Sequence, residues 1–340
     1  MHATASWRPM MTSLAAFAVV AILLHPFLFL LHRVAVFRAV PFDDYAGFLL
    51  WLAGHPEGAF PLSPYCYRIL SMAAALPLFH AVPALGLTNV PADTSAMWLR
   101  ATLALNLLNY LAVVAAAVLV ARWGQRRFGL LPTEAMLAGG LLFALAWFTQ
   151  LAAVDGVALL LVAVGMTLLR RPLALCGLLL LATGTNEKVA LVLALWLGVR
   201  VVLVPADRPE LWLPFALAAA AVGLHLTAVA ALGFPGHEYQ TGLTGSLATV
   251  LENLRAYATP RGMMLNVLPI AVLGAVAGWA ARAREGTLWF RAVDGLVVVA
   301  LVLVALRFTQ LYQVGRIVMH AAPLFVVPAV LALRRRPVLS

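Results

Sequence analysis

Apolar runs of roughly 15 to 24 residues, parted by short polar turns, recur along the whole 340-residue chain, a length suited to helices that cross a bilayer. They predict spans over 11–31, 98–121, 133–150, 155–169, 172–185, 188–204, 211–232, 263–281, 292–306 and 317–333. The expected fold is all-α, a polytopic transmembrane helical bundle of about ten spans forming one integral membrane domain over 1–340, with both termini inside. The run 11–31 is longer than a signal-peptide core and no small-x-small site precedes Asp43, so it reads as a retained span. Two polar stretches interrupt the pattern: a first outer loop, 32–97, with juxtamembrane helices, and a second large outer loop, 233–262.

Within the first loop, 69–87 is apolar but broken by Pro77, His80 and Pro83. A full crossing there would turn Arg122, Arg126 and Arg127 outward and flip every later basic cluster with them. The segment is therefore read as a helix that dips into the outer side, with an ordinary kinked span as the competing reading.

Composition narrows the class. With 64% hydrophobic residues, 11% charged residues and a mean hydropathy of +0.98, the chain is too apolar for an ordinary soluble globule. The net charge of +10 does not point to nucleic acid, because the basic residues sit in short clusters between spans, where topology requires them. Cys66 and Cys176 form neither a metal motif nor a disulfide framework. Phosphate-binding G-x-x-x-x-G-K-[ST] loops, H-E-x-x-H helices and G-x-S-x-G elbows do not occur.

If the clusters at Arg122–127, Arg170–171, Arg282–291 and Arg334–336 are cytoplasmic, eight of the 13 acidic residues fall on the opposite side. Ionisable groups beside hydrocarbon are costly and mark candidate sites. Asp43 and Asp44 stand just beyond the first span and are read as a general base and a metal-holding pair, with a helix N-cap as the plain alternative. Arg68, in PYCYRIL, suits bidentate phosphate recognition, with Tyr67 beside it; interfacial anchoring is the other reading. Asp155, at the start of a span, and Glu187 with Lys188, in TGTNEK, fall on the same side. His237 and Glu238 open the second loop. Arg307, Gln310, Tyr312, Arg316 and His320 crowd the last outer turn, where a bound anion such as a lipid phosphate would account for two arginines that oppose the inside bias.

These features together resemble the GT-C superfamily of integral membrane glycosyltransferases. FDDY at 42–45 is similar to that family's acidic motif in the first outer loop, and PYCYRIL to its aromatic and arginine motif opening the next helix. The stretch 150–155 and LALCGLLLLATGTNEKVALVL resemble the family's Asp at an outer span end and its Gly-rich span with a polar turn; the likeness covers 11–204. The chain departs from many members in lacking a large soluble domain after the spans.

The resemblance implies transfer of a sugar from a polyprenyl-phosphate donor to a glycan, lipid or protein acceptor. The reaction would take place on the outer face of the inner (cytoplasmic) membrane, among membrane lipids. Asp43 or Asp44 would be the base in an inverting displacement. Arg68, Tyr67, Asp155, Glu187, Lys188, His237, Arg307, Tyr312 and Arg316 would bind substrate. Where a divalent metal (Mg or Mn) is used, Asp43, Asp44 and Asp155 would hold it. A transporter or flippase of a lipid-linked or anionic solute, or a non-catalytic envelope-assembly subunit, are the alternatives.

Overall fold

The computed structural model describes residues 43–61, 65–85, 96–146, 148–149, 154–232, 247–283, 291–308 and 314–333. The expected span 11–31, His237, Tyr312 and the Asp43 side chain lie outside what is described. Among the described residues every regular element is helical and there is no strand. The helices are α1 (Asp43–Leu52), α2 (Ile69–Ala81), α3 (Ala96–Phe128), α4 (Pro132–Ala146), α5 (Asp155–Leu168), α6 (Pro172–Thr183) and α7 (Lys188–Leu203). There follow α8 (Arg208–Leu232), α9 (Leu247–Tyr257), α10 (Pro260–Ala280, with a π turn at Met263–Val267), α11 (Leu296–Phe308), α12 (Val314–Met319) and α13 (Ala322–Leu333).

Three helices, Met97–Phe128, Pro205–Leu232 and Pro260–Ala280, are long and apolar enough to cross a membrane, as expected of a membrane protein. The other predicted spans among the described residues are helical but short: 15 residues in α4, 14 in α5, 12 in α6 and 16 in α7. A straight crossing takes about 20. Apolar runs overstate helix length here because they continue through turns. The run 317–333 is interrupted at His320 and Ala321, which part α12 from α13, and the run 292–306 opens with the tight turn Ala292–Gly295.

Helix α3, with 33 residues and so about 50 Å long, sets the frame. Gly129, at φ 62°, carries the chain out of it in a left-handed conformation that favours glycine. Asn109, part-way along α3, receives the first turn of α5, so the residues before Asn109 overhang the bundle by about 20 Å. On that overhang α1 and α2 pack their own small core: Tyr45, Phe48, Leu49, Met72, Ala75 and Phe79 close over Ala101, Ala104 and Leu105.

Helix α2 lies along this part of α3. It starts at the α6–α7 turn, where Leu70 N–H donates to Gly184 O at 2.9 Å. It ends beside Arg100, whose Nε donates to Phe79 O at 2.6 Å. The stripe Met72, Ala75 and Phe79 is what fastens it along α3, leaving its other faces unburied.

The remaining helices form the main core, with α12 and α13 buried at its centre. Helices α3, α5, α7 and α10 all run from the end bearing Asp155 towards the end bearing Arg122, Arg170, Arg200 and Arg282. Contacts at the latter end confirm the alignment: Arg170 pairs with Glu210 at 3.2 Å, and Trp279 Nε1 donates to Ala329 O at 3.1 Å. The described arginines Arg122, Arg170, Arg200 and Arg282 thus gather at one end of the bundle and the candidate site lies at the other.

Candidate functional site

Two glycines seat the charged residues of the site. Gly156 follows Asp155, and its N–H donates to Asn109 Oδ1 at 2.8 Å. A Cβ on Gly156 would lie 2.5 Å from Asn109 O, so only glycine lets α5 approach α3 this closely. Gly315 precedes Arg316 and repeats the device on α12. Its N–H donates to Asn266 Oδ1 at 3.2 Å, and a Cβ there would lie 2.3 Å from Leu265 O. A carboxylate and a guanidinium 161 positions apart are thereby brought face to face.

Asp155 is fully buried and surrounded by donors. Arg316 Nε donates to its Oδ2. Its Oδ1 lies 3.2 Å from His320 Nε2, 3.6 Å from Lys188 Nζ and 3.5 Å from Asn186 Nδ2. His320 sits at the α12–α13 break, and its Nδ1 lies 3.1 Å from Ile317 O. Both ring nitrogens thus lie beside oxygen atoms. Asn186 Oδ1 accepts from Lys188 N–H at 3.2 Å, fixing the first turn of α7.

A second carboxylate adjoins the first. Glu187 lies in the turn between α6 and α7 and takes Arg68 side-on, at 3.1 Å from Nε and 2.5 Å from Nη2. Burial works against ionisation of Glu187, but the cations of Arg68 and Lys188 outweigh it and hold its carboxyl well below the ordinary range. Arg68 is itself buried and donates through Nη1 to the Tyr45 hydroxyl. Tyr45 immediately follows the aspartate doublet at the start of α1, and Asp44 is half-buried beside it. Tyr67 turns to α8, donating to Val229 O at 3.4 Å and meeting the His225 ring edge-on at 5.6 Å.

Of the residues expected to form a site, Arg68, Asp155, Glu187, Lys188 and Arg316 come together, with Tyr67 at the border. Arg307 is exposed at the end of α11, outside this buried group. His320 and Asn186 complete the Asp155 shell. His225 was not anticipated from sequence; a histidine inside the apolar α8 was its only signal.

The metal role expected of Asp155 does not fit its surroundings. Both carboxylate oxygens are taken by cationic or N–H donors, and a divalent ion there would displace them against the charge of Arg316 and Lys188. Among the described residues no three His, Cys, Asp or Glu side chains converge as a metal site would require. Arg68, Lys188 and Arg316 instead converge on Asp155 and Glu187 in a buried group, and guanidinium and ammonium donors are the kind that recognise phosphate.

A second ionic network, unforeseen from sequence, closes the opposite end. Arg200 is fully buried and donates through Nε and Nη2 to Asp294 at 2.7 and 2.6 Å, and through Nη1 to Asp207 at 3.4 Å. Trp196 Nε1 donates to Asp294 at 3.1 Å. Arg291 reaches Asp207 at 2.8 Å, an interaction that, with its hydrogen bond, raises the guanidinium's pKa above its ordinary value. Two cations meet two carboxylates in balance.

Comparison of the chain with protein-family models, with curated proteins and with solved structures finds no match.

Proposed function

We propose that the protein is a polytopic membrane glycosyltransferase of the GT-C kind, moving a sugar from a polyprenyl-phosphate donor to an acceptor at the Asp155 end. The observation that carries this reading is the convergence of Arg68, Lys188 and Arg316 in one buried group bordered by Tyr45, the neighbour of the aspartate doublet. In the proposed reaction the acceptor hydroxyl attacks the anomeric carbon and its proton passes to Asp43 or Asp44. The sugar–phosphate bond breaks with inversion, and the departing lipid phosphate gains negative charge. The three cations stabilise that charge from fixed positions. Asp155 and Glu187 orient the cations rather than reacting, and no step is routed through a metal.

The basic residues at the opposite end favour placing that end in the cytoplasm and the site on the outer face of the inner membrane. Under this reading the short helices complete a bundle of about ten spans together with 11–31. The acceptor, whether glycan, lipid or protein, is met there. A carrier must open at both ends in turn, and the balanced Arg200 network argues against opening at its own end.

The test is transfer from a polyprenyl-phosphate sugar by purified protein carrying Asp43→Asn or Asp44→Asn. Loss of turnover in one variant with lipid binding retained is the expected outcome. Unchanged turnover in both ends the proposal.

A further inference from the structure

Helix α9, which forms the described part of the second loop, presents three different sides. Leu251 and Leu254, with Ala258 just past the helix end, recur at helical spacing on one side and are exposed. Glu252 and Arg255 form an exposed polar strip beside them. The third side meets the protein, with Asn253 and Ala256 buried. There Asn253 Nδ2 donates to Leu306 O at 2.8 Å, in the last turn of α11, where carbonyls lack helical partners.

The next helix fixes the level at which α9 lies. A tight corner joins them: Gly262 N–H donates to Thr259 Oγ1 at 3.1 Å, and a Cβ on Gly262 would lie 1.9 Å from Ala256 O. Helix α10 then runs for 21 residues, about 30 Å, which matches the hydrocarbon thickness of a bilayer. Met264, Leu268, Ala271 and Ala275 give it an exposed apolar side. Its far end carries Trp279, exposed, with the Arg282 guanidinium 4.7 Å from the ring centroid, a pairing suited to a membrane interface. Its near end is the site end, because Asn266 accepts from the N–H of Gly315, the neighbour of Arg316. Helix α9 therefore ends where α10 would enter hydrocarbon, and its exposed leucines are followed in the chain by the exposed Met263 and Met264.

We propose that α9 is an interfacial helix lying along the membrane surface at the site end, its leucine strip seated on lipid acyl chains and its polar strip turned to headgroups and water. Continuity with α10 selects lipid as the occupant: the strip stands one turn of chain away from a helix with the length and apolar side of a span. The polar strip fits the same place, since the Arg255 guanidinium suits a headgroup phosphate. Glu252 offsets that charge, so the seat depends on apolar area rather than on anionic lipid. This inference is independent of the chemistry proposed for the Asp155 cluster.

The test places full-length protein in phosphatidylcholine vesicles, with Cys66→Ser and Cys176→Ala as background. A fluorophore is attached at one introduced cysteine: Leu251→Cys, Leu254→Cys, Glu252→Cys or, as the reference on α10, Met264→Cys. Lipids brominated on their acyl chains quench from the membrane, and iodide quenches from water. Brominated lipid should dim the labels at Leu251→Cys, Leu254→Cys and Met264→Cys about twofold or more and leave the Glu252→Cys label near its starting brightness, with iodide giving the reverse order.

Equal dimming by brominated lipid at all three α9 positions overturns the proposal, because the helix would then cross hydrocarbon rather than lie at its edge. Dimming at none of them overturns it too, since the strip would be wet or covered by protein. Loss of dimming at Met264→Cys removes the level from which α9 takes its place and is equally fatal. Efficient cross-linking of Leu254→Cys between two copies of the chain, or to a cysteine placed within 11–31, would show a protein occupant and refute the lipid seat.

Discussion

Replacing Asp155 by asparagine preserves shape and removes one charge, and the structure states what that charge faces. Arg316 and His320 contact the carboxylate and Lys188 Nζ stands 3.6 Å away, all of them buried. An amide cannot compensate Arg316 and Lys188, which would be left to repel one another in a desolvated place. Removing one partner of a buried ion pair typically costs about 3–5 kcal/mol. That corresponds to roughly a hundredfold to several-thousandfold in the unfolding equilibrium, at about 1.4 kcal/mol per decade.

The assay is reversible unfolding of the purified protein by sodium dodecyl sulfate in mixed micelles, followed by circular dichroism. The Asp155→Asn variant should unfold at distinctly lower detergent fraction. Adding Lys188→Met should recover about 1 kcal/mol or more, since one of the stranded cations is then gone. An Asp155→Asn protein within about 0.5 kcal/mol of the parent would refute the description of this group as a desolvated network.

The remaining expectations concern the two networks and the close approaches. Arg200→Met strands Asp294 and Asp207 and should cost about 3–5 kcal/mol in the same titration, with Asp294→Leu added to it recovering part of the loss; no loss would mean that the network is solvated. Gly156→Ala and Gly315→Ala each force backbone apart and should cost about 1–3 kcal/mol, whereas Gly223→Ala, with nothing near its Cβ position, should be neutral or stabilising. Glu187 has its carboxyl held below the ordinary value, so its stabilisation is complete above about pH 4.3 and fades as pH falls towards the lower folded-state value. The stability gap between Glu187→Gln and the parent should therefore be full at neutral pH and shrink below about pH 4; a gap constant down to pH 3 would contradict the Arg68 pairing.

What the sequence disclosed was the presence of each unusual side chain, and what it withheld was their pairing. Asp155, Lys188 and Arg316 each stand out as ionisable residues at the edges of apolar runs, because hydrocarbon makes such placements costly. Nothing local says that Arg316 meets Asp155, since that contact depends on how α12 and α5 dock through Gly315 and Gly156 on two different asparagines. The metal role expected of Asp155 has the same source, since a carboxylate at a helix start shows nothing in sequence of the cations around it. Arg200 was legible in principle, as an arginine within ALWLGVRVVL, but nothing local ties it to Asp207 and Asp294. Helix lengths were overstated for a plainer reason, since hydropathy does not register breaks such as His320 and Ala321, or the turn Ala292–Gly295, when their neighbours stay apolar.

Helix α7 links the two ends of the molecule physically, with Lys188 at one terminus and Arg200 twelve positions on, about 18 Å away along the axis. The networks it joins differ in the groups they bring together. At Arg200 two guanidiniums meet two carboxylates, so an anion arriving there would gain no attraction that Asp207 and Asp294 do not already supply. At Lys188 the described group joins Arg68, Lys188 and Arg316 to Asp155 and Glu187, and under the proposed function these donors also meet the lipid phosphate. If the proposed function holds, a phosphate-bearing ligand should raise the protein's stability in proportion to its affinity while an uncharged isoprenol of equal length should not. Equal stabilisation by both would show that the tail alone is recognised and that the cluster serves only to hold the fold.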